Sequence, residues 1–132
     1  QAMLNEAVKK VSQKVTLKKE RADRLSFDTE KFDWVVLSNC IGHFDDQEQY
    51  LKEAYRVLKK SGKIIITDWT QDYIMMRFAN FYTKTFDYKN YNSLYSHEIE
   101  SMMTRLKFNI LKTETFRINW FWSASTIMGV KP

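Results

Sequence analysis

The chain has 132 residues, 44% hydrophobic and 28% charged, a balance that suits one globular domain and excludes a disordered tail or a membrane bundle. Glycine occurs three times, at Gly42, Gly62 and Gly129, never two close together, so these residues hold no Gly-rich phosphate loop and no G-x-G-x-x-G turn. The net charge of +5 is concentrated in residues 1–24, where seven Lys/Arg face three Asp/Glu. The elements then follow in order. Met3, Leu4, Ala7, Val8 and Val11 form an apolar stripe that predicts an amphipathic helix over 2–13. Val15–Lys19 reads as a short strand, and 21–31 as a polar loop pinned by Leu25 and Phe27. Trp34–Leu37 is a continuous apolar run, the pattern of a strand buried on both faces. Asp45 and Asp46 offer an N-cap for a helix over 46–60 with Leu51, Tyr55 and Leu58 on its apolar face, and Gly62 is expected to stop it. Ile64–Ile66 predicts a second fully buried strand ending at Thr67–Trp69, followed by a helix over 71–84. Ser96 is expected to cap another helix, with Ile99, Met102, Met103 and Leu106 on one face. Phe108–Arg117 and Asn119–Val130 read as a closing hairpin around Arg117–Trp120.

Alternating helices and strands of this kind imply an α/β domain with a mostly parallel sheet and a C-terminal antiparallel hairpin. Ligands of such sheets bind beyond the carboxyl ends of the strands, which here are Arg21–Asp23, Ser38–Ile41 and Thr67–Trp69. Cys40 is the only cysteine, which rules out an internal disulfide and a cysteine-based zinc site and points to a reducing, cytoplasmic compartment. The longest apolar stretch, Ile118–Val130, is broken by Asn119, Ser123, Ser125 and Thr126 and is too short to span a bilayer. No signal peptide is evident, and no membrane partner is expected. A nucleic-acid surface would interleave aromatics with the basic N-terminal stretch, and none precedes Phe27, so a solvated helix face is the plainer reading of that charge. The chain opens on Gln1 rather than Met, so its gene is expected to begin further upstream.

Three phrases stand in order. Ala22-Asp23-Arg24-Leu25-Ser26-Phe27 leads to Phe32-Asp33-Trp34-Val35-Val36. Ser38-Asn39-Cys40-Ile41-Gly42-His43-Phe44 follows, and then Glu53-Ala54-Tyr55-Arg56-Val57-Leu58-Lys59-Lys60-Ser61-Gly62-Lys63 ahead of Ile64–Ile66. Together they resemble the class I S-adenosylmethionine-dependent methyltransferases, in the small-molecule type 11 branch. The resemblance covers nearly the whole chain. It implies a Rossmann-like methyltransferase fold, incomplete at the N-terminus: residues 1–132 form a single partial domain whose first two family strands, Gly-rich loop and acid-ended strand are absent. It implies S-adenosylmethionine as cofactor and a small-molecule acceptor. Missing strands would leave an open gap in the sheet, so a homodimer, strand exchange, or direct pairing of Val15–Leu17 with Trp34–Leu37 are alternatives that would close it.

The resemblance also implies site residues. Arg21, Ala22 and Asp23 fall at the adenine side, although the family places Asp where Arg21 stands, and arginine has only donors. Ser38, Asn39 and Cys40 fall beside the cofactor's methionine and sulfonium. His43 is either structural or the general base that takes the acceptor's proton. Residues 69–95 hold nine of the chain's twenty aromatics, and Trp69, Tyr73, Phe81 and Tyr82 are candidates for a substrate wall, with core filling as the plainer alternative. Asp45, Asp46, Asp68 and Asp72 lie on different elements with capping uses, and no metal is expected. Two functions remain open: methyl transfer as part of a longer or assembled enzyme, or a catalytically inactive methyltransferase-like module for binding or dimerisation.

Overall fold

A computed structural model describes residues 2–12, 14–74, 78, 81, 94–120 and 122–132. Its elements are helix α1 (Ala2–Lys10), strand β1 (Phe32–Ser38), a short 3-10 helix (Ile41–His43), α2 (Gln47–Val57), β2 (Leu58–Trp69), α3 (Ser96–Arg105), β3 (Asn109–Arg117) and β4 (Ser123–Val130). Most of the helix expected over 71–84 lies outside the described residues, as does Tyr82.

The four strands form one sheet in the order β1-β2-β4-β3. β1 and β2 pair in parallel, with Val35 opposite Ile64 and Leu37 opposite Ile66. β4 runs antiparallel to both β2 and β3. Two antiparallel steps restore the direction, so β1, β2 and β3 all point the same way. Their carboxyl ends and the start of β4 therefore share one end of the sheet, as the α/β reading with a closing hairpin requires. The connection between β3 and β4 spans 118–122, with Arg117 opposite Ser123.

The pleat decides which side chains are buried. Ile64, Ile66 and Ile127 are fully buried on one face, together with Leu51 and Ala54 of α2 and Ile99 and Met103 of α3. Both helices carry an i, i+3/i+4 apolar stripe and lie against this face, with Val35 and Leu37 packed beside them. Gly129 permits the close approach of α3: a Cβ there would lie 2.6 Å from Met103 Cε. Asp46 caps α2, its carboxylate accepting from Gln49 N at 3.0 Å. Glu98 closes the first turn of α3 by accepting from Tyr95 N at 2.8 Å, so Ser96 is the first helical residue rather than the cap.

Several expectations are corrected. α2 ends at Val57 and Leu58 is already extended, so the helix does not run to Gly62. The left-handed residue in this bend is Ser61, at φ 60°. Gly62 is instead required by contact, because a Cβ would lie 2.7 Å from the Lys59 carbonyl. Val15–Lys19 forms no strand and does not pair with Trp34–Leu37. An extended pattern yields a ladder only where another strand offers its edge in register, and this segment is carried out into solvent, apart from Leu17. β1 is therefore an edge strand among the described residues. Nor is it buried on both faces: Trp34 is 49% and Val36 63% exposed. Both packed helices lie on the Val35/Leu37 side, and α1 makes no substantial contact with any other named element.

Candidate functional site

At the carboxyl end of the sheet, the backbone of β1 turns sharply at Asn39, which adopts φ 49°, a left-handed conformation that asparagine tolerates. Asn39 N donates to the Thr67 carbonyl at 2.8 Å, extending the β1–β2 pairing by one bond. Two residues later, Ile41 N donates to Asp68 Oδ2 at 2.7 Å. Asp68 Oδ1 accepts from its neighbour Trp69 N at 2.8 Å. Asp68 is 1% exposed, so this carboxylate is withdrawn from water and bound by backbone N–H groups of both strand ends. It fixes where the Ser38–Cys40 turn stands relative to β2.

Cys40 is half-buried in this turn. Burial pushes its thiol above the usual cysteine range, and the negative charge of Asp68 pushes it further the same way. The thiol is therefore protonated at neutral pH and is a poor nucleophile. Alkylation by iodoacetamide at pH 8 is expected to run at least about fivefold slower than for free cysteine, and to accelerate as pH rises above the ordinary thiol range. Labelling at the free-cysteine rate would contradict this reading. His43 closes the 3-10 helix on the exposed side, its N–H donating to the Cys40 carbonyl at 3.1 Å.

The 21–24 turn is tied to the same end of the sheet through the start of α2. Asp23 O accepts from Gln49 Nε2 at 3.3 Å, and the Arg21 guanidinium lies within electrostatic range of Tyr50 and Asp45. Phe44, just after the 3-10 helix, stacks on Tyr50 with centroids 3.5 Å apart. Arg21 grips Asp23 through two bonds, Nε to Oδ1 at 3.0 Å and Nη2 to Oδ2 at 2.5 Å. Those bonds hold the Asp23 carboxyl below its ordinary range. Ala22 turns toward an apolar cavity of about 210 Å3 whose walls include Leu25, Phe27, Leu37 and Tyr50.

A clamp on α2 holds this loop. Glu53 and Arg56, one turn apart, pair through Nε–Oε1 at 3.0 Å and Nη2–Oε2 at 2.9 Å. Glu53 Oε2 also accepts from Leu25 N at 3.0 Å. Arg56 donates to the carbonyls of Phe27 at 2.8 Å and Leu25 at 3.1 Å. The conspicuous Glu-x-x-Arg phrase thus acts by fastening the 25–27 loop to the helix.

Across the sheet, Trp69 packs against Trp122 with ring centroids 5.3 Å apart, and the Arg117 guanidinium lies 4.6 Å from the Tyr73 ring centre. Thr70 and Ser123 join β2 to β4 through reciprocal bonds, Thr70 N to Ser123 O at 3.2 Å and Ser123 Oγ to Thr70 O at 3.1 Å. Of the candidate substrate wall, Trp69 and Tyr73 come together with the hairpin, whereas Phe81 is 75% exposed. The structure thus gathers the 21–24 turn, the Ser38–His43 turn and the Trp69/Tyr73 wall at one end of the sheet. Sequence reasoning missed Asp68 as an anchor, the clamping role of Glu53 and Arg56, and the contribution of Arg117 and Trp122. Only the clamp left a signal, the i, i+3 spacing of opposite charges.

No helix among the described residues is long and apolar enough to cross a membrane. The family model described as "Methyltransferase domain" matches residues 1–66. A demethylmenaquinone methyltransferase of Bacteroides fragilis is 37% identical over 67 residues, 49% of this chain and 27% of that protein. An uncharacterized protein of Methanocaldococcus jannaschii is 31% identical over 97 residues, 72% of this chain and 47% of that protein. The chain thus spans less than half the length of these curated relatives. Among solved structures, a SAM-dependent methyltransferase from Thermotoga maritima superposes with a TM-score of 0.76 at 24% identity, covering 89% of this chain and 65% of that one. This last likeness is one of fold.

Proposed function

The chain belongs to the methyltransferase domain family, in the type 11 branch of the class I S-adenosylmethionine-dependent enzymes, and on that premise we propose that it forms the acceptor-side part of a small-molecule methyltransferase. S-adenosylmethionine is the methyl donor of this family, and it supplies a methyl group already activated by a positively charged sulfur. One observation carries the proposal: a buried carboxylate, Asp68, pins the Ser38–Cys40 turn at the same sheet end as the 21–24 turn and the Trp69/Tyr73 wall. The donor set fits on the methionine side. Ser38 and Asn39 present hydroxyl, amide and carbonyl groups, and a protonated Cys40 adds no nucleophile that would compete with the acceptor. On the adenine side, Ala22 offers an apolar edge and Asp23 a carboxylate already held by Arg21.

In this reading, the chain's residues chiefly align the acceptor and exclude water. Trp69 and Tyr73 flank the acceptor, and His43 takes the proton lost by its attacking atom as the new bond to carbon forms. Held between the 21–24 and 38–40 turns, the donor would supply the methyl group and depart as a neutral thioether. The Gly-rich cofactor loop has no counterpart within these 132 residues; this reading requires it from outside them, and the edge of β1 left unpaired among the described residues would receive the strand that carries it. A second copy contributing that strand is the alternative source. The single cysteine supports a reducing, cytoplasmic setting.

The Arg21–Asp23 pair favours a second reading, a catalytically silent module for binding or dimerisation, because it engages the acidic group nearest the adenine side. Calorimetry separates the two. S-adenosylmethionine is titrated into the chain alone, and into the chain extended by the N-terminal segment of the Bacteroides fragilis relative. The enzyme reading expects saturable binding and methyl transfer only in the extended protein. A folded extended protein that neither binds nor transfers supports the silent module.

A further inference from the structure

We propose that the β3–β4 hairpin builds a binding site for a flat, anionic aromatic ligand, an aryl carboxylate being its simplest form. A cavity of about 260 Å3 opens between the end of β3, the 118–122 connection and the segment after β2. Its walls are Tyr73, Ile74, Arg117, Trp120, Trp122 and the polar pair Asn119 and Ser123. Three observations give it a chemical identity. The walls are aromatic: Tyr73 lies beneath Arg117, and Trp122 packs on Trp69 at a tilt of 55° between ring planes. Trp120 is 72% exposed at the rim, so its ring is within reach of a ligand entering from solvent. The charge is one-sided among the described residues: Arg117 is a cation, no described acidic side chain lines the cavity, and Arg117 forms no ion pair with a described residue.

An arginine stacked on a ring keeps its in-plane N–H fork directed outward, the geometry that receives a carboxylate through two bonds. The half-buried Tyr73 ring below adds a cation–π attraction that helps hold the guanidinium in place. A neutral quinone-like ring would fill the slot but leave the guanidinium without its partner; an aliphatic anion would pair with Arg117 but leave the aromatic walls unused. A flat aromatic anion satisfies both.

The cavity opens at the same sheet end as the Ser38–Cys40 turn. Three strand steps separate β1 from β3, about 4.8 Å each, and Ser38 is level with Glu114 rather than Arg117, so Arg117 lies more than roughly 14 Å away. A ligand anchored by its anion at Arg117 therefore extends along the strand ends toward that turn. That the bound ligand is the methyl acceptor rests on the methyltransferase reading; the anion site itself does not.

The test is a proton–nitrogen NMR titration of the full chain with 1-naphthoate and with its neutral counterpart 1-naphthalenemethanol, following the four indole N–H signals, in the absence of any methyl donor. Naphthoate is expected to shift Trp120 and Trp122 saturably, to leave Trp34 in place, and to bind at least about tenfold tighter than the alcohol. Arg117→Gln is expected to erase that preference, whereas Lys112→Gln, an exposed charge on the same strand, leaves it intact. An unchanged urea midpoint in both variants shows that folding is not the cause. Equal binding of acid and alcohol, or a preference that survives Arg117→Gln, would overturn the proposal. So would sedimentation of the chain with anionic phospholipid vesicles in the absence of naphthoate binding, which would make the hairpin a membrane-surface contact. Because no methyl donor is present, failure here leaves the methyl-transfer reading standing, and failure of methyl transfer leaves this site standing.

Discussion

Replacing Asp68 with alanine lowers the unfolding free energy by about 2–4 kcal/mol, the range for removing a buried charged acceptor and leaving its donors unpaired. The size follows from geometry. Asp68 receives Ile41 N at 2.7 Å and Trp69 N at 2.8 Å while 1% exposed, so water does not readily replace the lost oxygens. Asparagine is expected to rescue only in part, because it turns one oxygen into an N–H donor facing an N–H donor. The decisive readout is local. Amide exchange at Asn39–Gly42 accelerates more in Asp68→Ala than exchange at Ile64–Ile66, because the turn loses its anchor while the core strand keeps its ladder. Uniform acceleration across both would mean that Asp68 contributes only to global stability.

Arg56→Ala is expected to cost about 2–3 kcal/mol and to free the 25–27 loop, since it removes the pairing with Glu53 and two donations to backbone carbonyls. The pH dependence comes from Glu53. Its carboxyl is held below the ordinary glutamate range, first by Arg56 and then by the Leu25 N–H, with burial opposing. A carboxyl whose folded value is depressed contributes its full stabilisation above the unfolded value and loses it as pH falls through the folded one. The wild-type chain therefore loses this part of its stability on acidification below the ordinary glutamate range. Glu53→Gln removes the step along with the charge. Urea unfolding from pH 7 to pH 3 checks both, and an identical pH profile in wild type and Glu53→Gln would refute the clamp.

These two residues also mark the limit of what the sequence made legible. The start of α2 with its Asp46 cap and the closing hairpin are local patterns that stand where expected. The α2 stripe instead buries Leu51, Ala54 and Val57 with Leu58 already in β2, and the Ile64–Ile66 strand leaves Ile65 half-buried. Val15–Lys19 carries a similar pattern and forms no strand, because a strand is completed by its neighbour and none pairs with it. Trp34 and Val36 show the same limit: an apolar run announces a strand but not whether helices cover one face or two. The site depends further on pairing. Asp68 reads as an ordinary strand-end acid until the β1–β2 register brings Ile41 above it. Arg117 reads as a hairpin residue until the segment after β2 places Tyr73 beneath it. By contrast, Ser38, Asn39 and Cys40 were legible as candidates because they follow an apolar run directly.

The most direct test of the account follows backbone amides of the chain alone during titration with S-adenosylhomocysteine, the demethylated product. With the Gly-rich segment supplied from elsewhere, binding is expected to be weak, with a Kd of roughly 1 mM or above, about 4 kcal/mol of binding free energy. The shifts are expected to be confined to residues 21–24 and 38–43. Saturation at micromolar concentration would contradict the need for a segment beyond these residues, and shifts elsewhere would contradict the site.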